Sequence, residues 1–216
     1  MKIENILENL IKFNTVVDKE NDKITSWIGD FLRLLGFKVS LVKNGKNKKI
    51  NLFATIGKKP VLTFLGHTDT VSAGRNWTFD PFVMKIEVDK IYGLGSSDMK
   101  GGIASLMSAL SQINFKNCKN GFNVLLTYDE ETNFNGIIDF IKNKKIGTKH
   151  IIVGEPTNLK PIIASKGIVS FVVNFFGKEY HGSEPEKGLN AIILASDFIK
   201  EIQRYFVSVK NDKNDI

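Results

Sequence analysis

A single cysteine, Cys118, occurs in the 216 residues, so the chain cannot form an internal disulfide. It also lacks any run approaching the ~18 consecutive apolar residues that a membrane-spanning helix needs. Residues 1–17 mix Glu4, Glu8 and Asn9 into an apolar pattern, which is typical of an amphipathic helix and not of a signal peptide. We therefore expect a cytoplasmic protein that does not interact with membranes.

Arginine is also scarce, although the net charge is +7. The arginines are Arg33, Arg75 and Arg204, and the other basic residues are lysines scattered along the chain, apart from the lysine-rich stretch 43–49, which we interpret as a loop. Nucleic-acid binding normally needs a focused basic face, often with arginine or stacking aromatic residues. The charge therefore indicates a solvated lysine-rich surface and no nucleic-acid partner, and leaves open a general attraction for small anions.

The apolar patterns alternate between helical and strand periods, with no internal repeat. The spacing predicts helices over 22–35, 99–113 and 135–143, and strands over 37–42, 51–56, 60–66, 122–128 and 150–154. Gly36 stands where a helix C-terminal cap belongs. This alternation predicts an α/β fold, a mainly parallel mixed sheet with helices on both faces.

The pattern changes near residue 166. Residues 167–177 predict a long strand rich in β-branched and aromatic residues, and a strong helix follows from residue 189. One strand and one helix cannot bury their apolar faces alone. Residues 166–216 therefore either pack against the part formed by 1–165 or begin a second, α+β domain whose remainder is absent, which would leave an unpaired strand edge and exposed apolar surface.

Histidine and acidic residues stand at successive junctions of the predicted elements. They are His67, Asp69, Asp98, Glu130, Glu131 and Glu155. Because parallel strands deliver functional groups at their carboxyl ends, we expect these side chains to converge. Metal-bound imidazoles usually donate their other N–H to a carboxylate, and Asp69, two residues after His67, could accept it. Adjacent carboxylates such as Glu130 and Glu131 repel one another unless a cation compensates.

Each of these residues also has an ordinary explanation. His67 could be a surface histidine and Asp69 a residue that caps a turn. Asp98 could be the N-cap of the following helix, a role that would not exclude metal binding. Glu130 and Glu131 could lie in an exposed turn. The glycines around Asp98 do not form a phosphate-binding loop, because the Gly-Lys-Ser/Thr ending is absent.

The motifs "GHTDTV", "WTFDPF", "YGLGSSDMKGG", "TYDEE", "GEPT" and "HGSEPEKGLNAI" follow one another along the chain, within a match that spans roughly residues 5 to 205. In this order and spacing they resemble the di-zinc peptidase and deacylase family that includes acetylornithine deacetylase and succinyl-diaminopimelate desuccinylase. "GLGSSDMKG" and "GEPT" are most similar to the acetylornithine deacetylase branch. Trp77 and the phenylalanines of "WTFDPF" would shape the rim of the site, or pack without a functional role.

The resemblance implies a role for each candidate residue. His67 and Glu155 would bind one zinc ion, Asp98 would bridge two, and Glu131 would bind the second. Glu130 would be the general base, and Asp69 the partner of His67. Residues 1–165 would form the zinc-binding catalytic domain, still incomplete, and 166–216 the start of an α+β lid that forms a homodimer. His181 would belong to this lid and would stabilise the oxyanion in the partner's site. The peptide bond between Asp98 and Met99 would be cis.

The implied reaction is hydrolysis of the amide of a small N-acylated amino acid, with two zinc ions, or cobalt or manganese, as cofactors. Such reactions belong to the biosynthesis of arginine or lysine. Family members are nearly twice as long, and their further part holds the last histidine ligand of the second zinc, for which His150 is a poor substitute. We therefore expect one metal ion to bind better than two, with impaired activity. The alternatives are a di-zinc aminopeptidase or dipeptidase, and a non-catalytic metal-binding relative.

Overall fold

A computed structural model of the chain describes residues 2–43, 48–165 and 167–211. The chain divides into two units, Met1–Ile162 and Ile163–Ile216, close to the boundary expected at residue 166. Whether the two units are a catalytic domain and a lid stays a prediction. Of the loop predicted over 43–49, positions 44–47 lie outside the described residues.

The first unit is built on a five-stranded sheet. Its strands are β1 (Lys38–Lys43), β2 (Ile50–Ile56), β3 (Pro60–His67), β6 (Gly121–Thr127) and β7 (His150–Val153). Two short strands, β4 (Lys85–Glu87) and β5 (Lys90–Tyr92), lie outside this sheet. The sheet order is β1-β2-β6-β3-β7, and β4 and β5 form a separate hairpin. β3 pairs with β6 and β7 in parallel, whereas β2 pairs with β1 and β6 antiparallel. The sheet is therefore mixed, with its parallel part at β6, β3 and β7.

In the part of the chain that the structure describes, five α-helices accompany the strands: α1 (Ile3–Lys12), α2 (Asp22–Leu34), α3 (Lys100–Leu110), α4 (Asn135–Asn143) and α5 (Ala191–Asn211). Short 3-10 turns occur at Phe115–Asn117 and Pro185–Lys187. Gly36 has φ +90°, and its N–H donates to the carbonyl of Arg33, which confirms it at the C-terminal cap of α2. No helix of the described chain is long and apolar enough to cross a membrane.

Helices cover both faces of the sheet. Leu52 and Ala54 of β2 belong to the buried cluster that α1, α2 and α3 build on one face. Phe53, between them, points to the other face, where its ring packs 5.2 Å from that of Phe140 in α4. The predicted α/β architecture, a mixed sheet flanked by helices, is therefore confirmed.

The parallel strands end at one edge of the sheet. In the registers of β3, His67 pairs with Thr127 of β6, and Leu65 pairs with Val153 of β7. The chain leaves these strands towards residues 67–69, 129–131 and 155. This edge therefore collects most of the candidate residues.

The prediction of a strand over 167–177 is wrong, because the structure describes the whole of this segment and shows no strand pairing in it. Within its described residues, the second unit has a single bridge, in which Lys178 and Leu189 exchange two backbone hydrogen bonds of 2.9 Å. A β-rich composition makes a strand only where a neighbouring strand accepts its hydrogen bonds. The expected exposed apolar surface is present, since Ile168, Val169, Phe171, Val172 and Phe176 are exposed.

Candidate metal centre

His67, the last residue of β3, stands at the centre of the cluster. Its side chain is 1% exposed. Its Nδ1 lies 3.0 Å from the backbone carbonyl of Asp69, and because a carbonyl can only accept, Nδ1 carries the proton of the neutral ring. Its Nε2 faces three carboxylates, at 3.2 Å from Asp98, 3.6 Å from Glu155 and 3.7 Å from Glu130. The nitrogen that is free to bind a cation therefore points into an acidic pocket.

Asp69 connects two of the loops that form the pocket. Its Oδ1 lies 3.6 Å from His67 Nδ1, farther than its own carbonyl, so the backbone is the nearer partner of the imidazole. Its Oδ2 accepts the N–H of Glu131 at 3.1 Å. Asp69 is buried, which explains why it does not act as a surface turn cap.

Asp98 precedes α3 but does not cap it. The helix begins at Lys100, its N-cap is Met99, and no side chain accepts a capping hydrogen bond. The peptide bond between Asp98 and Met99 is cis, as the family resemblance implies. Met99 is fully buried, and its sulfur accepts the backbone N–H of His67 at 3.2 Å. Asp98 is thereby held beside the histidine.

The turn after β6 presents Glu130 and Glu131, and both side chains are partly buried. Asp129, directly before them, has φ +57°, and its carbonyl accepts the backbone N–H groups of Asn133 and Phe134. Its carboxylate forms an ion pair with Lys49, and both residues are buried. Sequence reasoning missed this pair, because it gave Asp129 no role and placed Lys49 in a solvated loop.

The ligand-type atoms form two groups within the described residues, one of His67, Asp98 and Glu131 and one of His67, Glu130 and Glu155. In each group the atoms lie within 4.8 Å of one another. One imidazole nitrogen and two carboxylates form a donor set suited to zinc or a similar divalent ion. Both groups use His67, and its Nε2 can bind one ion at a time. The roles implied for the individual residues stay predictions.

The cluster concentrates negative charge around one buried histidine. Burial alone would lower the pKa of His67, but Asp69 and the other nearby carboxylates outweigh it and raise that pKa to about 9. Burial and neighbouring negative charges raise the pKa of Glu155 to about 7. Burial is also the main cause that raises the pKa of Glu130 and of Glu131. A divalent cation would compensate this crowding, so the residues fit a metal ion.

An open groove of about 640 Å³ borders the cluster at Glu155. The start of α3, with Gly101 and Gly102, and the loop from Gly154 to Leu159 line it, together with apolar and polar residues of α1, α3, β3, β5 and the segment before α3. Its volume falls in the ~300–1,000 Å³ range of small-molecule sites.

Two further histidines lie elsewhere. His150 is exposed at the start of β7. His181 is exposed in the second unit, where its Nδ1 lies 2.7 Å from Ser183 Oγ. The role that the family resemblance implies for His181, stabilising the oxyanion in a partner's site, stays a prediction.

Comparison with known proteins gives this geometry a context. The sequence pattern of Peptidase family M20/M25/M40 matches residues 63–209. The chain is 41% identical to an acetylornithine deacetylase of Pasteurella multocida, over 82% of this chain and 47% of that protein. It is 36% identical to an acetylornithine deacetylase of Buchnera aphidicola subsp. Schizaphis graminum, over 91% of this chain and 54% of that protein.

A solved structure of a tripeptidase from Staphylococcus aureus has the same fold, with a TM-score of 0.64 and 19% identity over 92% of this chain and 55% of that one. The chain therefore spans about half the length of the curated relatives that it matches. Since the family pattern covers more than half of these 216 residues, the chain belongs to Peptidase family M20/M25/M40.

Proposed function

We propose that this chain is part of a metal-dependent hydrolase that cleaves the amide bond of a small N-acylated amino acid, with acetylornithine as the first candidate. The observation that carries the proposal is the convergence of one imidazole nitrogen and carboxylates from separate loops into two ligand groups. The two relatives named acetylornithine deacetylase support the choice of substrate over N-succinyl-diaminopimelate.

The metal would be held by His67 with Asp98, Glu131 and Glu155, and zinc is the first choice, with cobalt or manganese as substitutes. When bound, such an ion polarises an amide carbonyl and lowers the pKa of a water molecule towards ~7. Because both ligand groups need the same nitrogen of His67, we expect the first ion to bind more tightly than a second. Calorimetric titration with zinc checks this, and two equally tight sites would contradict it.

Glu130 and Asp69 would have different roles in the reaction. Glu130 is partly exposed and its pKa is raised, which brings a general base closer to the pH at which it must both take and release a proton. It would take a proton from the attacking water and return it to the departing amine. The carbonyl of Asp69 fixes the ring of His67, so that Nε2 stays directed into the pocket. The adjoining groove has room for a small acylated amino acid.

His181 enters the proposal through the family resemblance alone. It would stabilise the oxyanion of the tetrahedral intermediate, from a homodimer in which the second unit reaches the partner's site.

The replacement Glu130→Gln tests the proposal. It keeps the shape of the side chain but removes the base, so we expect hydrolysis to fall about 100- to 10,000-fold while metal binding persists. The assay compares N-acetylornithine, N-succinyl-diaminopimelate and short peptides, with Glu8→Gln on the exposed side of α1 as the matched control. Near-normal activity of Glu130→Gln would remove it from this role.

The second candidate function is a di-zinc aminopeptidase or dipeptidase, which the fold shared with the tripeptidase favours. Turnover of peptides without turnover of acylated amino acids would support it. Metal binding without turnover of any of these compounds would support a non-catalytic relative.

A further inference from the structure

The ion pair between Lys49 and Asp129 sits where the sheet meets the metal centre. In the antiparallel pairing of β2 with β6, Leu52 stands opposite Leu126. Continuing this register by three residues, back from Leu52 and forward from Leu126, brings Lys49 opposite Asp129. Both residues are buried, and the Lys49 ammonium donates to Asp129 Oδ1. The pair therefore lies just beyond the last paired residues of β2 and β6, at the edge that carries the candidate ligands.

On one side, the pair holds the turn that carries the two glutamates. Asp129 precedes Glu130 directly and has a left-handed backbone. Its Oδ2 also accepts the side-chain N–H of Asn135, the first residue of α4, at 3.2 Å. The carboxylate is thus bonded on both oxygens, and its backbone carbonyl accepts two N–H groups of the same turn. The direction in which the chain leaves towards Glu130 is therefore fixed.

On the other side, the pair reaches the loop that carries the histidine. Lys49 also donates to the carbonyl of Val17. The N–H of Val17 donates to the carbonyl of Thr70 at 3.0 Å, and the N–H of Thr70 donates to the carbonyl of Thr15 at 3.0 Å. Thr70 follows Asp69 in the chain. Lys49 therefore connects the glutamate turn with the loop of His67 and Asp69.

We propose that Lys49 is a positioning residue for the metal centre, with Asp129 as its anchor. It sets the separation of the His67 loop and the Glu130–Glu131 turn without binding the metal or the substrate itself. The inference rests on the proposed function, because it needs a metal ion to be bound between these loops. A buried ion pair loses its benefit when one partner is removed, so the remaining charge should displace the turn.

The test uses the full chain and Co²⁺, whose visible absorption reports its coordination. The variants are Lys49→Met, Asp129→Asn and the double variant. Asparagine is chosen because it tolerates the left-handed backbone at this position and still accepts the bond from Asn135. Lys12→Met, which breaks an exposed ion pair with Glu8, is the control and should change neither stability nor affinity.

We expect Lys49→Met to weaken Co²⁺ binding about 10- to 100-fold and to alter the Co²⁺ spectrum. Its urea midpoint should fall, because Asp129 is left buried without its ammonium partner. The double variant removes both charges and should regain much of that midpoint while its Co²⁺ affinity stays low. A double variant that regains its urea midpoint but not its Co²⁺ affinity would show that Lys49 positions the ligands in addition to stabilising the fold.

Two results would overturn the inference alone: a Lys49→Met variant that binds Co²⁺ as the wild type does, or a double variant that regains affinity together with stability. Either would mean that the pair serves only the fold. Failure of the wild-type chain to bind Co²⁺ would overturn the proposed function itself and this role with it.

Discussion

Metal affinity of this chain should weaken steeply as the pH falls, because an ion has to displace a proton from His67. The imidazole must be neutral to bind a metal, whereas the pKa of His67 in the metal-free site is about 9. Each pH unit well below that pKa costs a factor of ten, and at pH 9 half of the imidazole is already protonated, so affinity at pH 7 should be about 50-fold weaker than at pH 9. Below pH 7 protonation of Glu155, with its pKa of about 7, should steepen the dependence further.

Calorimetry can measure this dependence and count the protons. Co²⁺ or Zn²⁺ is titrated into the metal-free chain between pH 6 and pH 8.5, at each pH in two buffers of different ionisation enthalpy. We expect about one proton to be released per ion near pH 8, because His67 is then still mostly protonated, and more than one below pH 7. His150→Gln removes an exposed histidine outside the cluster and should leave both the slope and the proton count unchanged.

An affinity that stays level between pH 7 and pH 8.5, or an ion that binds without releasing a proton, would refute this reasoning. Either result would mean that His67 is already neutral in the metal-free site. The carboxylates around it would then be too well solvated to hold its charge, and the electrostatic argument for a cation at this position would fail.

Two further predictions follow, one from the charge of His67 and one from the packing around Gly102. Folded His67 binds its proton more tightly than the unfolded residue, whose pKa is 6.5, so the stability that it contributes is complete below pH 6.5 and is lost as the pH rises through 9. The loss should be about 3 kcal/mol in urea unfolding, and a saturating metal ion should abolish it; stability that rises over this range would contradict the assignment. Gly102→Ala should lower the free energy of unfolding by about 1–3 kcal/mol, because the new Cβ would stand 2.4 Å from the carbonyl oxygen of Gly154. It should also weaken metal binding, because Gly154 is directly followed by Glu155. Gly167→Ala, with nothing within 4 Å of its Cβ, is the control, and equal effects of the two variants would contradict the packing argument.

The elements that the sequence predicts well are those whose apolar residues become buried in the sheet. β2, β3 and β6 were found within about two residues of their ends, a normal uncertainty for boundaries, because each contains a run that must be buried on both faces. The hairpin of β4 and β5 was missed, since nearly all of its residues are exposed and leave no pattern of burial. The strand predicted over 167–177 failed for the opposite reason, because its apolar pattern is strong but no partner strand is present among the described residues.

The candidate ligands were predictable because topology brings them together. Once 60–66, 122–128 and 150–154 are interpreted as parallel strands, the residues at their carboxyl ends must meet at one edge, whatever the details of packing. What the sequence could not supply is the orientation of each group. The sequence predicts the carboxylate of Asp69 as the partner of His67 Nδ1, and that pairing stays a prediction. The structure adds two contacts that no pattern indicates, the backbone carbonyl of Asp69 at 3.0 Å from Nδ1 and the N–H of Glu131 on the other carboxylate oxygen.

The contact between Lys49 and Asp129 could not be predicted from the sequence. It stands among lysines whose composition indicates a solvated loop, and its partner is 80 residues away. Only the antiparallel register of β2 with β6 brings the start of one strand opposite the end of the other. A sheet expected to be mainly parallel gives no reason to look for that encounter. A lysine that composition assigns to solvent thus becomes, through one strand pairing, the residue that joins both loops of the metal centre.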